Sequence, residues 1–297
     1  MDKSDLAERM KGYEKRNRYY LQRRMPVILR LDMRAGHSFT KGFERPFDEI
    51  FIKSMQETAK YLCENIQNCK LSYQQSDEIT LLLVDYDKLN TDCFFDYRVD
   101  KLCSIAASMA TMAFNNIFSK YVRGFDLALA YNDNSIDTEE NRKLLEIYNK
   151  AAEKGAMFDA RCFNIPKEEV TNNFYWRQLD ASRNSIQMVG QANFSHKELQ
   201  NKSCNDIQDM LMTQKGINWN NLPTYQKRGS CCIKVNRFIE NEKGTQICFP
   251  EGCSDPFEDE ETLTGVYRSN WMIDTEIPIF KGECREYIDR LVFVGED

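Results

Sequence analysis

The residues best placed for chemistry lie in Ser72–Leu83, which reads Ser-Tyr-Gln-Gln-Ser-Asp-Glu-Ile-Thr-Leu-Leu-Leu. Asp77 and Glu78 interrupt two apolar-rich runs there, and the pattern predicts strand, tight turn, strand, with Ser76 and Asp77 in the bend. A further acid, Asp32, closes the run Pro26-Val27-Ile28-Leu29-Arg30-Leu31. An acid ending one strand and an acid on an adjacent hairpin can converge on Mg²⁺, a hard cation that favours carboxylates and phosphates. Two such ions about 4 Å apart would activate a hydroxyl and steady a leaving pyrophosphate. The expected catalytic residues are therefore Asp32, Asp77 and Glu78, with Asp32 and Asp77 as metal ligands.

Other chemistries find less support. There is no G-x-S-x-G nucleophile motif, and His37 and His196 are the only histidines, too far apart in sequence to form a metal-spaced pair. Eleven cysteines include no C-x-x-C pair; Cys231, Cys232, Cys248 and Cys253 could meet in space, but reduced, partly buried thiols are the expectation. A net charge of −6 argues against indiscriminate coating of nucleic acid and leaves room for local RNA contacts. The N-terminus lacks an apolar signal core, and no apolar stretch approaches the roughly 20 residues of a membrane span. A cytoplasmic enzyme with no membrane attachment is expected.

The surrounding pattern must position the acids. A helix is predicted over 4–24 with a basic outer surface, then a strand ending at Asp32. The loop after it holds small residues and cations suited to wrapping phosphates. A helix from Pro46 to about Asn65, the hairpin over 71–85 and a helix over 99–119 follow. A strand over Phe125–Tyr131, a helix over Glu139–Glu153 and a strand over Met157–Ile165 complete this half. Strand, helix, hairpin, helix, strand is the split βαβ order of ferredoxin-like sheets, which sets the first strand's end beside the hairpin bend. The fold class is α+β: a ferredoxin-like sheet with helices and a C-terminal helical and β-rich extension. Residues 1–165 are expected to form the unit that carries the acids, and 166–297 a second segment.

In the second segment, Lys167–Met188 is a long helical pattern rich in amide, arginine and aromatic side chains. Such groups can stack on bases or bond to sugar and phosphate, or equally form a satisfied polar helix interface. A helix over Ser203–Gln214 and strands over Cys232–Phe238 and Thr262–Asp274, joined by an acidic loop at Glu258–Glu261, complete the chain.

Several stretches in order resemble the tRNA-histidine guanylyltransferase superfamily, particularly its "like" members. They are Arg30-Leu31-Asp32, Gly36-His37-Ser38-Phe39, Phe43 to Asp48, Gln75-Ser76-Asp77-Glu78 and Phe158-Asp159-Ala160-Arg161. Trp176-Arg177-Gln178, Asp180 to Ser185, Phe194-Ser195-His196-Lys197 and Lys227-Arg228-Gly229 also match, so the resemblance spans about residues 26–230. It implies a polymerase-palm-like catalytic domain over 1–165, with 166–297 serving RNA binding and oligomerisation. It also implies 3′-to-5′ addition of nucleotides to a tRNA 5′ end with two Mg²⁺ ions, GTP and ATP as nucleotides, and a homotetramer. It implies nucleotide binding by Arg34, His37, Lys41, Arg45, Asp48 and Ser76. RNA contacts would come from Asn173, Trp176, Arg177, Arg183, Asn184, Lys227 and Arg228. Met33 stands where the family usually has Gly and would offer its carbonyl to metal; Phe47 replaces an Asn frequent in eukaryotic members. The Cys162-Phe163-Asn164 region is nearer the branch associated with template-directed 5′-end repair than with obligatory G addition. A nucleotide cyclase or cyclic-oligonucleotide synthase, and an inactive RNA-binding module, are the competing readings.

Overall fold

The computed structural model describes residues 4–131, 137–240, 246–250 and 265–295. The first helix, α1 (Asp5–Lys15), is capped by the Ser4 side chain and buries no residue; it stops well short of the predicted 24. With no buried face to add packing energy, a short helix is marginal, and the basic run after it does not extend it. The chain then enters β1 (Val27–Met33), a short turn of helix α2 (Gly36–Phe39) and α3 (Glu49–Asn65). The hairpin follows as β2 (Cys69–Gln75) and β3 (Glu78–Leu83), with Ser76 and Asp77 as its two-residue bend. Ser76 has φ +48°, the left-handed conformation that tight hairpin turns require.

The next helix, α4 (Val99–Tyr131), runs through the stretch expected to be a strand. The alternation of Phe125, Leu127 and Leu129 misleads because Val122, Phe125 and Leu129 also fall three and four residues apart, as one helix stripe. Phe125 packs against the core edge-on to Tyr148, at 5.8 Å between ring centres, and Leu129 is buried, so core contact extends the helix. By length and composition α4 could cross a membrane. Here it lies on the sheet, burying Leu102, Ala106, Ala110, Phe114 and Phe118. After α5 (Glu139–Lys154) and β4 (Phe158–Asn164) comes α6 (Lys167–Asn193), then the short α7 (His196–Leu199). The remainder is α8 (Cys204–Lys215), α9 (Thr224–Arg228), β5 (Ser230–Glu240), β6 (Gln246–Pro250), β7 (Gly265–Asp274) and α10 (Glu286–Val292). The acidic Glu258–Glu261 loop and Cys253 lie outside the described residues.

The sheet is antiparallel, in the order β4-β1-β3-β2-β5, the first four strands being the ferredoxin-like arrangement expected from the element order. β5 pairs β2 through residues 230–233 and β6 farther along, and runs its length against β7, so strands from both halves of the chain share one sheet. Alternate residues of β1 feed two cores: Val27, Leu29, Leu31 and Met33 face α3 and α4, whereas Ile28 faces α6 and α10. The second face carries Arg30 and Asp32, because side chains two apart share a face.

Candidate functional site

Register brings the acids together. Asp32 is the last residue of β1 to pair with β3, opposite Glu78, and Asp159 of β4 lies opposite on its other side. The next amide, Met33 N–H, donates to the Asp77 carbonyl at 3.0 Å, tying the hairpin bend to the strand end. Burial, and then the neighbouring Asp77 and Glu78 carboxylates, push the Asp32 carboxyl above its usual range, with Arg30 opposing them. Opposite Asp77 there is room for no side chain at all: a Cβ on Gly36 would overlap Oδ2 and lie 2.9 Å from Cγ. Gly36 is thus the residue type that lets the loop close over Asp77.

Asp77 lines a cavity of about 630 Å³ between α2, the N-terminus of α3, the hairpin, α6 and α9. His37, Lys41, Arg45, Ser76 and Asp48 also line it, so five of the six expected nucleotide residues converge there. Asn184, expected to touch RNA, lines the same cavity. Phe43, Phe47 and Met188 add an apolar wall able to hold a planar base. The sequence reading passed over Gln74, Tyr225 and Gln226, which also line it. Gln74 is buried, and its Nε2 donates to the Ser76 carbonyl at 2.9 Å, bracing the bend. Tyr225 and Gln226 both donate to Glu49, and Gly229 ends α9 where any Cβ would strike the Gln74 carbonyl. Only the paired order of Lys227-Arg228-Gly229 hinted at this end of the site.

Other expected residues sit elsewhere. Arg34 lines a separate cavity of about 210 Å³ with Phe39 and Lys154, which Asp77 does not border. Asp48, though it borders the large cavity, is committed to structure: it caps α3 through Phe51 N–H at 2.8 Å and accepts from Glu44 N–H and the Tyr148 hydroxyl. Met33 is 3 % exposed and its side chain joins the α3/α4 core, so it does not crowd the cavity.

Glu78 differs most from expectation. It is buried, and Arg177 clasps it with two hydrogen bonds, Nε to Oε1 at 2.7 Å and Nη2 to Oε2 at 2.8 Å. Arg30 adds a third contact to Oε2 at 2.6 Å. A carboxylate so neutralised is held as an anchor, not presented to a reacting group. Arg177 is correspondingly 5 % exposed and no RNA-facing cation. The rest of the expected RNA set is spread over two elements. Trp176 is exposed beneath the Arg177 guanidinium, 4.6 Å from its ring centre, and Arg183 is exposed but paired with Asp180. Asn173 is half-buried on α6. Lys227 is half-buried and donates to the Asn220 carbonyl at 2.6 Å; Arg228 is half-buried and its carbonyl accepts from Tyr73.

Among the described residues no group of three or more His, Cys, Asp or Glu side chains forms a metal cluster. Asp32 and Asp77 do offer an all-oxygen pair beside a small residue, a donor set that fits a hard divalent cation completed by carbonyl and phosphate oxygens. Cys231 and Cys232 are buried free thiols, and the Cys248 and Cys253 side chains lie outside the described residues, so no zinc set is formed by the described cysteines.

Comparison with known proteins bears on this geometry. A family model described as Thg1, tRNAHis guanylyltransferase, matches residues 7–166. The tRNA(His) guanylyltransferase of Saccharomyces cerevisiae is 27% identical over 235 residues, covering 74% of this chain and 87% of the yeast protein. An uncharacterized protein of Acanthamoeba polyphaga mimivirus is 28% identical over 255 residues, covering 82% of this chain and 81% of its own. A bacterial tRNA(His) guanylyltransferase (Thg1)-like protein, solved in complex with ATP, superposes with a TM-score of 0.71 at 39% identity, covering 98% of this chain and 100% of that one. Another such structure, in complex with GTP, gives 0.70 at 36%, again covering 98% and 100%. With the hairpin acid lining a nucleotide-sized cavity and the strand-end acid beside that hairpin, and with these matches, the chain belongs to the Thg1 family of tRNA guanylyltransferases, which are nucleotidyltransferases, in its Thg1-like branch.

Proposed function

We propose that this protein is a metal-dependent nucleotidyltransferase that adds nucleotides to tRNA 5′ ends in the 3′-to-5′ direction, in 5′-end repair or in guanylyl addition to histidine tRNA. The observation that carries this reading is that Asp77, which lies against the strand end bearing Asp32, lines one cavity together with the cations Lys41 and Arg45 and with His37 and Ser76. Cations and a carboxylate on one cavity are what a nucleoside triphosphate and its counter-ions require. The bacterial relatives solved with ATP and with GTP support both nucleotides as ligands of this cavity.

In this reading Lys41 and Arg45 neutralise the triphosphate, and Phe43 and Phe47 flank the base. Ser76, braced by Gln74, fixes the hairpin bend so that Asp77 meets the reacting phosphate. Asp32, Asp77 and the Met33 carbonyl would hold two Mg²⁺ ions, which would supply charge neutralisation and hydroxyl activation. On a 5′-monophosphorylated RNA, the 5′ phosphate attacks the α-phosphorus of ATP or GTP and releases pyrophosphate. The 3′-hydroxyl of the incoming nucleotide then loses its proton and attacks that activated 5′ phosphate in line, expelling the nucleoside monophosphate, with positioning carrying most of the rate. Trp176, Asn173 and Arg183 on the outer side of α6 are available to the RNA. In this reading α4 is a core helix packed on the sheet, and the protein acts in the cytoplasm without a membrane span. The homotetramer rests on family membership.

The test is incubation with a 5′-truncated tRNA, Mg²⁺ and each labelled nucleoside triphosphate in turn. Native protein incorporates label, and Asp77→Ala, folded by circular dichroism, does not. Native-like turnover by Asp77→Ala would remove this assignment.

A further inference from the structure

The buried guanidinium of Arg177 has no part in the scheme above, yet it is the most heavily bonded cation near the carboxylates. Besides clasping Glu78, it donates to Asp180 at 2.9 Å, and Asp180 is held in turn by Arg183. Its partner Glu78 is the residue next to Asp77 and the cross-strand partner of Asp32. The same helix, from one turn farther on, supplies Ala181, Asn184 and Ser185 to the cavity wall. One side chain therefore joins the wall that meets a nucleotide to the hairpin that carries a carboxylate.

We propose that Arg177 is a positioning residue for nucleotidyl transfer: its two-point clasp on Glu78 sets the hairpin, and with it Asp77, at a fixed distance from the α6 wall. This rests on the reading of Asp77 given above. A planar guanidinium bonded through Nε and Nη2 fixes direction as well as distance, which a single point charge does not. Without Arg177, Glu78 would keep only contacts from its own sheet, Arg30 at Oε2 and the Thr80 hydroxyl at Oε1. Arg177 is not among the residues that line the cavity, so its loss should spare nucleotide binding while moving Asp77 off its working position.

The experiment compares native protein with Arg177→Met, Arg177→Lys, Glu78→Gln and the double variant Glu78→Gln/Arg177→Met, with Asp77→Ala as the control. Each is assayed for transfer to 5′-truncated tRNA over a range of nucleotide and Mg²⁺ concentrations. Arg177→Met is expected to lower kcat about 10- to 100-fold, as loss of an outer partner to a ligand-bearing element does, and to raise the half-saturating Mg²⁺. The nucleotide KM is expected to stay within threefold. Arg177→Lys should recover more than half of the loss on a logarithmic scale. The double variant should be no worse than the poorer single, because both break one clasp. A kcat within threefold of native for folded Arg177→Met, a loss confined to nucleotide KM, or multiplying losses in the double variant would each overturn the proposal. If Arg177→Met does not fold, Arg177→Lys and Glu78→Gln decide by the same criteria. Native transfer with silent Asp77→Ala and a fully active Arg177→Met sinks this proposal alone; a native protein that transfers nothing sinks the catalytic reading and takes this one with it.

Discussion

Replacing Gly36 with alanine tests the site with one methyl group. The added Cβ would overlap Asp77 Oδ2 and lie 2.9 Å from its Cγ and 3.1 Å from its Cβ. Carbon atoms rest at about 3.5–4.0 Å, so the Asp77 side chain or the loop must give way by about 0.4–1.1 Å. All three nearest atoms belong to Asp77, so a rotation of its tip alone does not relieve the contact and the whole carboxylate turns away. A 1 Å misplacement of a group that must meet the reacting atoms costs about 100-fold in rate. Stability should move little, because Gly36 opens a short helical turn where alanine is favoured by about 0.5–1 kcal/mol, offsetting part of the contact. Gly36→Ala is therefore expected to unfold within about 1 kcal/mol of native in urea while kcat for nucleotide addition falls about 100-fold. Because Gly36 also borders the cavity, nucleotide KM is read alongside kcat. Native kcat in a folded Gly36→Ala protein would refute the argument that this carboxylate, in this orientation, carries the reaction.

Three further outcomes follow from the structure. Asp48→Ala leaves Phe51 N–H, Glu44 N–H and the Tyr148 hydroxyl without their acceptor, so urea unfolding should show a loss of about 3 kcal/mol; native stability with only a raised nucleotide KM would instead make Asp48 a ligand. Hydrogen bonds from the Ser195 side chain and amide hold the Glu198 carboxyl below its usual range, and the Ser203 amide and side chain do the same for Asp206. A depressed folded value stabilises above the unfolded value and is lost as pH falls through the folded one, so the melting-temperature gap between native and Asp206→Asn should be full above about pH 4 and shrink progressively as pH falls below it. A gap that persists unchanged to pH 2 would contradict the capping box. Peptide mapping after brief alkylation should find Cys284, which is exposed, modified before Cys63, Cys231 and Cys232, which are buried; labelling of the buried set in native protein would contradict their packing.

What the chain determines by itself is local. An apolar run ending in Asp32 and a bend at Ser76-Asp77 are short patterns with strong turn chemistry, and the order of elements then leaves one placement for the two acids. The small and cationic residues after Asp32 make a pattern that many surface loops share, so it took the fold to put His37, Lys41 and Arg45 on the large cavity and Arg34 on another. What tertiary structure decided are the cases in which one residue type serves opposite roles. Asp48 reads as a ligand until its carboxylate is seen capping α3, and Arg34 until the loop carries it to the other cavity. Helical spacing says which residues of α6 share a side, and it finds the buried Val170, Phe174, Ala181, Ile186 and Val189, but Thr171, Arg177, Gln178 and Ser185 are buried as well. Hydrophobic periodicity accounts for the first set and is silent on the second. A charge is tolerated in the interior only when its partner arrives from elsewhere in the chain, and for Arg177 that partner, Glu78, lies 99 residues away.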